Sequence, residues 1–353
     1  MDSQKNLFCG NVCFSLIANK EILADLFNYC FKRGVFSSSP ELEITLILQI
    51  KISHISKRIN VVDDIVKSQS THLKKELFIG NTVVYITFNQ DYVVFIPQIK
   101  DANQGYPYLL YSRKNHACDV IYSENTERLK YFLWSLLKEL YITYYEGKGW
   151  ILCHGSAVAL DSENALIFVA EPNSGKSTLL LAFSAYIDDT QPLSDDRILI
   201  KDNQIMPVPS VIHCDGRNLS KIQFVRGAID DFRFDKNRVC ENYVEISLLF
   251  FRKRITNFYK PYFIKGIVIP HASHTLNTSS KIELVSIGHK RPWLEQQYIS
   301  PKEIWRNKYL WERQLNLDAG EYLLGSKALE VSFKPSNLSK VLCEKILGSL
   351  QYN

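Results

Sequence analysis

The chain has 353 residues, 46% of them hydrophobic and 12% aromatic, with a formal net charge of +5. That composition excludes a disordered polar chain and supplies a sizeable core, and the length predicts two domains. The charge is mild and spread out, with Arg252-Lys253-Arg254 its one dense basic cluster, so nucleic acid is not an expected partner.

From the start of the chain, Met1 to Gly10 has neither the basic opening nor the long apolar stretch of a signal peptide. No apolar run approaches the roughly 20 residues of a spanning helix, so no membrane partner is expected. Eight cysteines at positions 9, 13, 30, 118, 153, 214, 240 and 343 form no C-x-x-C. They read as reduced thiols of a cytoplasmic protein, not as a zinc ribbon or disulfide scaffold. Strand-like runs are expected at 12–17, 42–50, 83–88 and 92–96, and a helix over 21–32. The Ser/Lys-rich interval 53–75 reads as a loop or a helix. Residues 1–122 are thus an N-terminal α+β domain without visible chemistry, a candidate for substrate or partner docking.

Residues 126–145 place Leu129, Phe132, Leu133, Leu136, Leu137, Leu140 and Tyr144 on one helical face, with Asn125 as cap and Gly147 past the end. This helix opens the second domain, 123–353, and is expected to pack on its core. A strand-like stretch over 152–160 ends in the turn Asp161-Ser162-Glu163-Asn164, and 165–169 is a second short, apolar strand.

Then comes Ala170-Glu171-Pro172-Asn173-Ser174-Gly175-Lys176-Ser177-Thr178, which fits G-x-x-x-x-G-K-[ST] except at its first position, followed by an apolar helix over 179–187. Strand, loop and helix form the context this motif needs. There, loop N–H groups and the helix N-terminus face phosphate oxygens, Lys176 reaches the β/γ oxygens, and Ser177 offers a hydroxyl to Mg²⁺. ATP, or another nucleoside triphosphate, and Mg²⁺ are the expected cofactors. Ala170 has a Cβ where the pattern has glycine, so its φ is expected to be negative. Gly175 is retained, where the chain must pass close to the phosphates.

Further on, Pro192-Leu193-Ser194-Asp195-Asp196-Arg197-Ile198 lacks the clean apolar strand that precedes the magnesium-holding acid of ordinary P-loop ATPases. On an extended segment the two carboxylates point to opposite faces; at a turn both can reach the site. Upstream, His154 of His154-Gly155 is expected on a strand paired with the nucleotide strand.

In order and approximate spacing, His154-Gly155, residues 170–178 and Asp195-Asp196-Arg197 resemble the HPr kinase/phosphorylase family and its relatives of the phosphoenolpyruvate carboxykinase-like fold, over about residues 150–200. The resemblance implies an α/β fold, a carboxykinase-like P-loop core of mixed strands joined to the N-terminal α+β domain. It implies phosphoryl transfer from a nucleotide to a hydroxyl, with Asp195 as base, His154 near the transferred phosphate, Ser177 on the metal, and Asp196 on the metal or orienting the site. The family's Glu-Ile-Arg-Gly signature, linked to the reverse reaction, is replaced here by Gln223-Phe224-Val225-Arg226-Gly227. Phosphorylase activity is therefore not expected, and Arg226 is either a substrate or phosphate contact or a plain surface arginine. The likeness is better to relatives that tailor peptides. Family members often form rings, which places a homo-oligomer among the expectations.

The chemistry stands without the family name. Phosphoryl transfer needs positioning, charge neutralisation and an oriented base. Lys176 with Mg²⁺ supplies charge; a carboxylate suffices as base because a serine or threonine proton leaves late. The acceptor is a hydroxyl of a protein, a peptide or a small molecule. The alternative is a nucleotide-binding sensor or docking protein in which the loop only switches conformation; the acid pair favours the kinase.

Past residue 200, strands are expected at 204–208, 243–251, 264–269 and 282–285. Helices are expected at 304–315 and 338–350, the latter with Val341, Leu342, Ile346 and Leu347 as its apolar positions. His271-Ala272-Ser273-His274 lacks the helical context of a metal pair, and His213-Cys214-Asp215 puts base and thiol on adjacent residues pointing apart.

Overall fold

The computed structural model describes residues 2–32, 40, 42–54, 74–78, 82–88, 92–97, 108–112, 115, 117–122, 126–215, 243–247, 259–273, 280–286, 326–335 and 338–351. These residues form an α/β structure with mixed sheets and few helices. They fall into two compact units, the first ending at Lys148 and the second starting at Gly149.

The first unit contains β1 (Asp2–Cys9), β2 (Val12–Asn19), α1 (Lys20–Lys32), β3 (Leu46–His54), β4 (Lys74–Phe78), β5 (Thr82–Phe88), β6 (Tyr92–Pro97), β7 (Tyr108–Ser112), β8 (Ala117–Tyr122) and α2 (Thr126–Gly147). Its eight strands lie in the order β1-β2-β3-β8-β7-β6-β5-β4. β1 and β2 form a hairpin paired without interruption from Asp2↔Asn19 to Cys9↔Val12. Gly10, at φ 58, supplies the left-handed backbone its tight turn requires. β2, β3 and β8 pair in parallel. Such neighbours need a crossover, which α1 provides between β2 and β3.

α2 buries all seven residues of the expected face, together with Trp134, Tyr141, Ile142 and Tyr145. The sequence places this helix with the second domain; the division after Lys148 instead puts it with the first. There Lys130 binds Asp25 of α1 at 2.7 Å, and the Tyr145 hydroxyl donates to Asn11 Oδ1 at 2.7 Å. The helix includes Gly147 as its last residue, two residues beyond the expected stop at 145.

The second unit contains β9 (Ile151–Cys153), β10 (Gly155–Ala159), β11 (Asn164–Val169), α3 (Lys176–Tyr186), β12 (Gln191–Ser194), β13 (Ile198–Lys201), β14 (Gln204–Pro207), β15 (Val211–Asp215), β16 (Tyr243–Ser247), β17 (Tyr262–Ala272), β18 (Lys281–Val285), β19 (Ala328–Phe333) and α4 (Lys340–Gln351). The large sheet runs β12-β10-β11-β17-β14-β13-β9, with β19 also paired to β17 and β18 to β19. β11, β17 and β19 are mutually parallel neighbours in that order, while the other pairs are antiparallel. β11 is almost wholly buried, as its apolar run predicts, and α3 packs over β10, β11 and β12. α4 packs on α3 and β19.

Three expectations need correction. The stretch 152–160 is not one strand: it breaks at His154 into β9 and β10, which have different partners. Of the two, only β10 pairs with β11, the strand before the G-K-S loop, and His154 sits at the break. Val341 faces solvent; the buried line of α4 is Leu342, Cys343, Ile346 and Leu350. The run 42–50 becomes a strand only from Leu46. The expected helix at 304–315, most of the interval 53–75, and Asn125 lie outside the described residues. Among the described residues no helix is long and apolar enough to cross a membrane.

Candidate nucleotide site

The site grows from an interrupted ladder. Ile198 of β13 faces Cys153, and Ser194 of β12 faces Ala157, so counting inward from both ends sets Ser156 opposite Asp195 and Gly155 opposite Asp196. One backbone bond bridges the gap, from the Gly155 N–H to the Asp196 carbonyl at 3.2 Å. A side chain at 155 would press on Phe168 O and Ile198 Cδ1, both 3.1 Å from an added Cβ. The glycine of the His-Gly pair therefore lets three strands meet closely. Across from it, Asp196 has φ 68, so the acid pair lies at a turn and not on an extended segment.

The loop 170–178 leaves β11 at Ala170, which is buried and, as expected, not among the residues with positive φ. Gly175 ends the loop at φ 100 and ψ 16, directly before α3. Its added Cβ would lie 2.7 Å from Phe333 Cζ and 2.8 Å from Ala272 Cβ. Glycine is thus demanded here by backbone conformation and by packing against the ends of β17 and β19. The Ala272 N–H donates to Ser174 O at 2.8 Å, tying the loop to the same wall. α3 has no side-chain cap, so its first N–H groups are served by no capping oxygen.

Lys176 is only 7% exposed, and its ammonium donates to Ala170 O at 2.7 Å and Glu171 O at 2.9 Å. Burial pushes its pKa down, while the charges of Asp196, Asp195, Cys153 and Glu171 pull it back up. A cation held inside the curl of the loop is where phosphate oxygens would gain most from it. The Ser174 hydroxyl is buried in the loop without a protein partner, an unmet donor of the kind a phosphate oxygen would satisfy.

Asp195 is 1% exposed. Its Oδ1 accepts from Ser156 Oγ at 2.6 Å, and Ser177 Oγ lies 2.9 and 3.0 Å from its two oxygens. Its backbone N–H donates to Ser210 Oγ at 2.8 Å. Ser194 steadies the turn from below, its hydroxyl donating to Arg197 O at 2.6 Å or Val208 O at 2.8 Å. The Asp196 side chain is 54% exposed, with Oδ1 3.1 Å from His154 Nε2 and Oδ2 3.8 Å from Arg197 Nε.

The structure therefore joins Ser177 to Asp195 and His154 to Asp196, all around the loop that carries Lys176. Ser156, Ser194 and Ser210 escape the sequence reading, because isolated serines carry no signal until the ladder's register is known. Arg226 lies outside the described residues, and so does His274; His271 is exposed near the end of β17. Among the described residues no group of three or more His, Cys, Asp or Glu can hold a metal. Mg²⁺ does not need one, since it is commonly held by one or two protein oxygens together with substrate phosphates. Ser177 and Asp195 fit that role.

No family model matches this chain, and no curated protein is significantly similar to it.

Proposed function

We propose that this protein is an ATP-dependent kinase of the phosphoenolpyruvate carboxykinase-like, HPr kinase-related kind, moving the γ-phosphoryl group to a serine- or threonine-type hydroxyl. The observation that carries the reading is the junction of the loop hydroxyl Ser177 with the buried Asp195, beside a second acid and a histidine. A loop that only bound nucleotide would need the cradle and the metal contact. It would have no use for a further, solvent-facing carboxylate oriented by an imidazole.

Bound Mg²⁺ would neutralise charge on the phosphates, and Ser177 and Asp195 would hold it. The loop N–H groups and α3 would cradle the phosphates, Lys176 would turn from its loop carbonyls to phosphate oxygens, and the exposed carboxylate of the acid pair would face the incoming hydroxyl. The mixed sheet, with parallel β11, β17 and β19 among antiparallel strands, supports the carboxykinase-like assignment over the all-parallel P-loop kinases. The acceptor is a hydroxyl-bearing protein, peptide or small molecule.

The test is calorimetry with Mg-ATP and mass analysis of reaction mixtures. Wild type is expected to bind Mg-ATP and add one phosphoryl mass to an acceptor, and Lys176→Ala to lose turnover and weaken binding. Equal affinity and turnover in the variant would remove the cradle reading. Tight binding by wild type with no phosphorylated product in host lysate would leave a nucleotide sensor.

A further inference from the structure

We propose that the adjacent carboxylates divide the work in the opposite order from that implied by the family resemblance. Asp195 holds the metal with Ser177, and Asp196, oriented by His154, receives the acceptor hydroxyl and takes its proton. This rests on the kinase reading above.

Access separates the two acids. A group that accepts a proton from an incoming hydroxyl must come within hydrogen-bond reach of it. Asp195 is 1% exposed and already receives hydrogen bonds from Ser156 and Ser177. Both of its oxygens lie within 3.0 Å of the hydroxyl that P-loop proteins place on magnesium. That carboxylate is turned toward the metal position and away from solvent. The Asp196 side chain is 54% exposed, one residue on, where the positive φ swings it out of the sheet.

Orientation points the same way. A base works best when a third group fixes it, and the Asp196 carboxylate lies between His154 Nε2 at 3.1 Å and Arg197 Nε at 3.8 Å. The Gly155 N–H holds the turn through the Asp196 carbonyl, so the residue beside His154 is also the one that fixes the acid's backbone. His154 is a positioning residue here: its Nε2 lies beside the Asp196 carboxylate and stays in place. The acceptor O–H bond breaks and its oxygen bonds to the γ-phosphorus. The bond from that phosphorus to the β–γ bridging oxygen breaks, and ADP leaves with the electron pair. The proton passes to Asp196 and from there to water.

Mant-ATP binding, with Mg²⁺ and with EDTA, separates the roles. Wild type is expected to bind about tenfold or more tightly with Mg²⁺. Asp196→Asn keeps that ratio, whereas Asp195→Asn brings it close to one. ATP turnover with water and free L-serine as acceptors should fall about 10²-fold or more in Asp196→Asn. His154→Gln should lower kcat several-fold with KM for ATP unchanged.

Loss of the Mg²⁺ ratio in Asp196→Asn, or its survival in Asp195→Asn, overturns the assignment. So does undiminished turnover in Asp196→Asn. A rise in KM for ATP without a fall in kcat in His154→Gln overturns the orienting role. Because Asp196 is half-exposed, its variant keeps the question open to decision even if the buried Asp195 variant unfolds. Failure of wild type to bind mant-ATP at all would instead sink the kinase reading on which this rests.

Discussion

Two antiparallel pairings in this chain are built alike and end differently. The β1–β2 hairpin matches eight residues with eight and closes through a two-residue turn. The pairing of 151–159 with 191–200 holds one register from Ile151↔Ile200 to Ala157↔Ser194 and shifts by one residue at Val158↔Pro192, and it opens in the middle, at His154 and at Asp195 to Arg197. In the first, backbone groups satisfy one another without interruption, and a side-chain bond such as Gln4 Nε2 to Ser15 Oγ at 2.7 Å only adds to a complete ladder. In the second, the interrupted ladder frees a turn, and serine hydroxyls fill in where ladder bonds are missing. Those hydroxyls hold the turn and the buried Asp195 in one arrangement.

The sharpest way to break this contrast is at the glycines. Gly175→Ala meets both a left-handed backbone and the Phe333–Ala272 wall, so it should cost about 3 kcal/mol by chemical denaturation and weaken Mg-ATP binding. Wild-type stability in that variant would mean the loop is not wedged against β17 and β19. Ser156→Ala removes the 2.6 Å donor to buried Asp195, and a loss of about 2 kcal/mol is expected in the same assay. An unchanged midpoint would show that the gap does not depend on its hydroxyls. Gly10→Ala, in the regular hairpin, meets a left-handed backbone, and about 1 kcal/mol is expected.

The smallest effect concerns thiols. Burial pushes Cys153 and Cys343 up to about 12 from an ordinary 9.0. Below about pH 9 these thiols are protonated whether the chain is folded or not. Between about pH 9 and 12 the unfolded chain releases protons that the native state keeps, so stability should fall with rising pH in that window. At pH 8, peptide-level mapping with iodoacetamide should find both unmodified in native protein. Rapid labelling of Cys153 would show that the floor under Lys176 opens.

Legibility followed the range of the interaction. β11, the phosphate loop and α3 were readable because an apolar strand, a motif and an apolar helix are local signals. The break at His154 was not, since 152–160 reads as one strand-like stretch and only the change of partner from β13 to β12 divides it. β1 escaped because its residues are mostly polar and exposed; pairing with β2 makes it a strand. β19 escaped too, although Val331 and Phe333 are buried, because its place is set by parallel pairing to distant β17. In α4 Val341 reads as a core position because it is apolar, and the buried line through Cys343 and Leu350 outranks it. Of the site, the named residues were legible by type, while their pairing, Ser177 with Asp195 and His154 with Asp196, depended on the geometry of the turn.

The seating of Gly175 against Phe333 and Ala272 has a thermodynamic consequence for ligand binding. A loop that hung free would have to surrender its backbone freedom when phosphates arrived, at roughly 1–2 kcal/mol for each residue ordered. Here two strand ends and the Ala272–Ser174 hydrogen bond have already removed much of that freedom during folding. On the proposed reading, affinity for nucleotide would then be set by charge and hydrogen bonding at the loop, with a small entropic penalty. Loosening the far ends of β17 or β19 would raise that penalty without touching any group that contacts phosphate.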